Sequence, residues 1–128
     1  MNFNSILIGS EDPAKLAAYY SKLLGEPTWN DGGYSVWMVG SGAVTVEPHS
    51  EVSGRNPQPG RLIWNLESDD VQGDFERFKA TGATVIREPY GFEGAPDSLI
   101  ATFADPDDSY FQLMSPMGSE PDPESSGL

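Results

Sequence analysis

Glu47 and His49 stand two residues apart in the stretch AVTVEPHSEV, and the histidine is the only one in the chain. Side chains two apart on an extended strand share a face. A carboxylate beside an imidazole could do two kinds of chemistry. The pair could hold a divalent cation, although two donors make a poor closed site. It could also move a proton, because a free imidazole titrates near neutrality and a carboxylate in a closed pocket can be tuned into a base. With so few donors nearby, His49 is more simply an ordinary residue at a strand end.

The other polar clusters carry less. Asp105, Asp107 and Asp108 have the look of a calcium loop, yet the glycine and closing glutamate of an EF-hand are missing. Asp and Pro form turns, so a hairpin turn is expected there. Glu67, Asp69 and Asp70 precede a helical pattern, where negative charge favours the helix dipole. Trp29, Trp37 and Trp64 could line a ligand site, but aromatic residues on strands mostly pack. There is no phosphate-cradling glycine loop, nucleophile elbow or basic nucleic-acid patch.

The elements that must position these residues come as a repeat. Residues 4–25 read NSILIGSEDPAKLAAYYSKLLG and residues 61–82 read RLIWNLESDDVQGDFERFKATG. Each is an apolar run, an acidic Ser/Asp cluster, a helical pattern and a glycine, which points to a duplicated unit. Asp12 followed by Pro13 is a strong helix start, with Gly25 as the stop. Leu16, Tyr20 and Leu23 form its apolar stripe. Strands are expected at about 3–10, 27–29, 34–39 and 43–48, with turns at 30–33 and 40–42. After a Pro- and Gly-rich linker at 50–60 the pattern restarts. A strand at 62–66 precedes a helix capped by Asp69 or Asp70 with Val71, Phe75 and Phe78 on its stripe. Strands follow at about 84–87, 99–104 and 110–115. The outcome is two βαβββ modules in tandem, an α+β fold.

Length and charge bound the rest. At 128 residues and 13.9 kDa the chain fits one domain, 1–116, with modules 1–49 and 61–116. Residues 117–128, MGSEPDPESSGL, have the composition of a disordered acidic tail. No cysteine is present, so disulfides and thiolate chemistry are excluded. No apolar run approaches the roughly 20 residues of a membrane span, and a cytoplasmic protein is expected. Lys and Arg total 7 against 20 Asp and Glu, and the formal charge of −13 repels nucleic acid and anionic membranes. The same charge could attract a cationic ligand.

Three stretches, SILIGSEDPAKLAAYYSKLLGEP, ESDDVQGDFERFKATGATVIREP and TFADPDDSYFQLMSP, resemble the vicinal oxygen chelate superfamily. That group includes glyoxalase I, bleomycin- and fosfomycin-resistance proteins and extradiol dioxygenases. The last stretch is similar to the family's FxDPDGNxFEL ending, with Asp108 in place of glycine. The resemblance implies modules that curl their sheets into half-barrels around a cavity, helices outside, and assembly as a homodimer. In metal-using members each of four strands supplies one ligand, commonly His, Glu, His and Glu. By motif those positions fall here on Ser5, Glu47, Arg61 (or Leu62) and Gln112. Guanidinium has no lone pair to give, so the resemblance implies a member without a bound metal or other cofactor.

Strand alternation adds Leu7, Thr45, His49, Ile63, Asn65, Tyr110 and Met114 to the face of those four positions. The opposite faces carry Ile6, Ile8, Val44, Val46, Leu62, Trp64, Leu66, Phe111 and Leu113 and are expected to pack under the helices. The candidate ligand-binding set is therefore Ser5, Thr45, Glu47, His49, Arg61, Asn65, Tyr110 and Gln112. Two functions compete. One is a metal-free protein that binds a cationic or aromatic small molecule. The other is a lyase, isomerase or dioxygenase of the superfamily with Glu47 as base or metal ligand. An accessory subunit without turnover is a third.

Overall fold

The computed structural model describes residues 1–92 and 94–116. They divide into two compact units: residues 1–59 with 105–109, and 60–104 with 110–116.

The first unit begins with strand β1 (Ser5–Ser10) and helix α1 (Pro13–Leu24). Asp12 caps the helix by accepting from Lys15 N at 3.2 Å, and Pro13 opens it, as its fixed φ favours. The chain leaves at Gly25 with φ 91°, a conformation that suits glycine. Strands β2 (Trp29–Asp31), β3 (Tyr34–Val39) and β4 (Gly42–Pro48) follow. Gly32 and Gly33, at φ 59° and 89°, make the two-residue turn of the β2–β3 hairpin, where positive φ is required twice. The sheet order is β1-β4-β3-β2, with β1 parallel to β4 and the other pairs antiparallel. Leu16, Tyr20 and Leu23 of α1 are buried together with Trp37, Val44 and Val46 of the sheet. Trp37 Nε1 donates to Gly25 O at 2.8 Å and ties the helix end to β3.

The second unit repeats this plan. It holds β5 (Ile63–Glu67), α2 (Val71–Ala80), β6 (Thr84–Phe92), β7 (Ala95–Ala104) and β8 (Tyr110–Met114), in the order β5-β8-β7-β6 with β5 parallel to β8. Its core is aromatic: the rings of Phe103 and Phe111 stack at 5.6 Å, with Phe75 of α2 at 5.4 Å from Phe103. The tandem βαβββ, α+β organisation expected from the sequence is present.

Element limits differ most in three places. β2 lies at Trp29–Asp31 instead of 27–29, because the Gly32-Gly33 turn sets where the hairpin closes. β6 and β7 run far beyond the expected 84–87 and 99–104, since register shifts between Val85 and Arg87 and between Arg87 and Tyr90 absorb Pro89 within a bulged edge strand. Leu62 is 77% exposed and outside the core. A 3-10 turn at Pro59–Arg61 takes up the residues before it, and β5 starts only at Ile63. The expected tail at 117–128 lies outside the described residues.

The turn Asp105–Ser109 joins β7 to β8 yet belongs to the first unit. Tyr20 donates its hydroxyl to Asp105 at 2.7 Å, Ser10 donates to Asp107 at 2.7 Å, and Arg55 pairs with Asp108 at 2.9 Å. Asn56 N donates to Asp107 O at 2.7 Å. The segment read as a linker thus helps to grip this turn.

Candidate functional site

Ser10 and Ser68 do the same job in the two modules. Each hydroxyl accepts from the N–H of the helix-capping aspartate at 3.0 Å, Asp12 or Asp70, and donates to a carboxylate, Asp107 or Asp74. The repeat offset at these strands equates Ser5 with Ile63, two residues past Arg61 and one past Leu62, the positions given by motif. Arg61 ends the 3-10 turn and is exposed.

Pairing then levels the remaining candidates. On the helix-free face of the first sheet, Ser5 lies beside Ala43 and Met38, Leu7 beside Thr45, Val36 and Trp29, and Gly9 beside Glu47. Glu47 is thus four residues along β4 from the partner of Ser5, about 13 Å at the rise of a strand. Donors to one cation sit a few Å apart at most, with bonds of about 2 Å. Ser5 and Glu47 do not share an ion. Thr45 holds the level that Gln112 holds in the second module, where Ile63 pairs with Tyr110 and Asn65 with Gln112.

The helix-free face of the second sheet is polar along one row: Asn65, Gln112, Thr102 and Arg87 align across its four strands. Gln112 Nε2 donates to Thr102 Oγ1 at 3.0 Å. The Arg87 guanidinium stacks 3.6 Å from the centroid of Tyr90. Sequence reading missed Arg87 and Tyr90, since the bulges that set their face leave no periodic signal. The first sheet's face is instead apolar, with Leu7 53%, Trp29 55% and Met38 56% exposed. Large side chains left in water on one sheet face are a mark of a binding surface.

His49 lies just beyond β4, and its Nδ1 accepts from Glu51 N at 3.1 Å. Its Cβ covers Gly9 so closely that an added methyl there would come within 2.9 Å. That contact explains the glycine in β1 and makes His49 a turn residue. Among the described residues no three of His, Asp and Glu come together as a cation site. The motif-matched donors, Ser5, Thr45 or Glu47, Ile63 or Arg61, and an amide already engaged with Thr102, do not fit the divalent ion of metal-using relatives.

The strongly perturbed groups sit in the 105–109 clasp. Burial, then the Asp105 charge, pushes Tyr20 well above the ordinary phenol range, and Tyr19 is raised for the same reasons. Burial raises Asp105 against the opposing hydrogen bond from Tyr20.

Two βαβββ modules, each with its first and last strands parallel and adjacent, define an α+β protein of the glyoxalase type. The chain belongs to the glyoxalase-like domain family, which matches residues 5–114, and so to the vicinal oxygen chelate superfamily. Solved structures share the fold. A glyoxalase-related enzyme from Fulvimarina pelagi is 18% identical at a TM-score of 0.72, covering 93% of this chain and 94% of that one. A glyoxalase/bleomycin resistance protein/dioxygenase family enzyme from Burkholderia phytofirmans PsJN is 19% identical at 0.71, covering 91% and 100%. A glyoxalase/bleomycin resistance protein from Catenulispora acidiphila is 20% identical at 0.66, covering 89% and 96%. At such identities the likeness is one of fold. No curated protein matches the chain.

Proposed function

We propose that this protein is a bleomycin-resistance-like binding protein that takes an aromatic, cationic small molecule on the helix-free face of its first sheet, without a catalytic metal. The observation that carries this is the exposure of Leu7, Trp29 and Met38 on one face with Thr45 and Glu47. Apolar side chains supply contact area, the indole can stack on a planar cation, and Glu47 adds a charge of the right sign. A two-fold homodimer suits an apolar face of this kind, and sedimentation velocity tests for it.

The experiment is a fluorescence titration with the planar aromatic cation acridine orange, run beside elemental mass spectrometry of protein purified without chelators. Saturable one-to-one binding, weakened about tenfold or more in Trp29→Ala and unchanged by added zinc, nickel, iron or manganese, is expected; tenfold is about 1.4 kcal/mol. Stoichiometric metal, or binding indifferent to Trp29 and Glu47, would overturn the proposal.

A further inference from the structure

On the other side of the first sheet, α1 and the β2–β3 hairpin enclose a groove of about 400 Å³. Its floor is the helix face of Ala14, Ala17, Ala18 and Ser21, whose small side chains leave room above them. Tyr34 forms part of the wall and is 41% exposed. β2 runs in the same direction as β1, because β1 is parallel to β4 and each of the next two pairings is antiparallel. A helix that follows β1 and packs back on the sheet runs the opposite way. Glu26, just past the end of α1, therefore marks one end of the groove, and Asp31, at the hairpin turn, marks the other. From Pro13 to Ser21 the helix advances about 12 Å.

Four features give this groove its chemistry. Glu26 and Asp31 are exposed carboxylates, and among the described residues neither is in an ion pair. Ser35 is only 7% exposed and lines the groove, and its hydroxyl has no hydrogen-bond partner among the described residues. The hydroxyl oxygen keeps contact with water in the groove, where it can accept from an ammonium group. Ser21 lies in the last turn of α1, where the helix dipole favours positive charge. The alanine floor between the charged ends suits a methylene chain.

We propose that this groove binds a linear aliphatic diamine or polyamine, with ammonium groups at Glu26 and Asp31, the Ser35 hydroxyl as an added acceptor and the chain along Ala14, Ala17 and Ala18. The aromatic-cation site on the opposite sheet face is a separate matter, and neither depends on the other.

The test is a titration of the full chain with spermidine, followed by amide NMR shifts and calorimetry at 150 mM NaCl. Shifts confined to α1 and the hairpin are expected. Affinity should fall about tenfold or more both in the Glu26→Gln/Asp31→Asn pair and in Ala18→Leu, which fills the floor. A control pair, Asp69→Asn/Glu88→Gln, removes the same charge elsewhere and should bind like wild type. All four charge positions are exposed, so folding is not at stake. Equal losses in both pairs, or shifts scattered over the acidic surface, would mean diffuse attraction to a highly negative chain and overturn the proposal. So would retention of full affinity in Ala18→Leu.

Discussion

Asp105 keeps a carboxyl group where only 2% of its surface meets water. One oxygen accepts from Tyr20 at 2.7 Å, and the other from the N–H groups of Asp107 and Ser109 at 2.9 and 3.0 Å. Burial outweighs these bonds and raises its pKa. A carboxyl raised on folding contributes stability that is full below its unfolded value, about 3.9, and is lost as pH rises through the folded value. Wild-type stability minus that of Asp105→Asn should therefore fall as pH climbs from about 4, then level off once the group is ionised, as measured by urea unfolding across that range. A difference that grows with pH would show the hydrogen bonds outweighing burial. Tyr20→Phe leaves an oxygen of the buried carboxylate without its donor and should cost about 1–3 kcal/mol at neutral pH, and less in acid. The turn itself was legible in the Asp and Pro residues. Its burial was not, because that depends on Tyr20, 85 positions away. The site was partly legible for a related reason. Alternation put Leu7, Thr45, Asn65 and Gln112 on the right faces, while the level of Glu47 against Ser5 is fixed by β1–β4 pairing, which no local pattern encodes.

Among the elements, the helices were the most readable, since Asp12-Pro13 and Asp70 act over three or four residues. The bulged β6 was the least, because Pro89 and Gly91 look like the end of a strand. Helix α2 also contains a local conflict. Asp70 caps it by accepting from Gly73 N at 3.0 Å, and a Cβ on Gly73 would run into the Asp70 carboxylate. Replacing a helical glycine with alanine ordinarily gains about 1 kcal/mol, and an aspartate cap is worth about as much. Gly73→Ala alone should thus leave stability near wild type, Asp70→Ala alone should cost about 1 kcal/mol, and adding Gly73→Ala to Asp70→Ala should recover about 1 kcal/mol. Chemical denaturation of the four proteins closes the cycle. A full gain from Gly73→Ala in the wild-type background would show that the cap shifts without cost.

At the scale of the whole chain, the duplication was plain in the sequence, whereas the transfer of the 105–109 turn to the first unit was not, since it needs partners from Ser10, Tyr20, Arg55 and Asn56 at once. Charge was legible from composition alone, and its consequence for stability follows from counting against geometry. The chain carries −13, and two ion pairs among the described residues, Arg55–Asp108 at 2.9 Å and Arg77–Asp74 at 3.4 Å, are solvent-exposed. Exposed pairs are worth little, so salt has little favourable energy to screen away. Repulsion among acids acts over a Debye length of about 30 Å at 0.01 M salt and about 8 Å at 0.15 M, so salt removes most of it. The thermal midpoint should rise by about 3–5 °C between 10 and 300 mM NaCl, a shift of about 1 kcal/mol for a domain of this size. Choline chloride should act like sodium chloride, because screening depends on ionic strength and not on the cation. A flat or falling midpoint would mean that the ion pairs, and not the excess acid, govern the fold. A cation that raises the midpoint at concentrations too low to change ionic strength acts by binding, and its effect should vanish with Glu26→Gln/Asp31→Asn if the groove of α1 is its place.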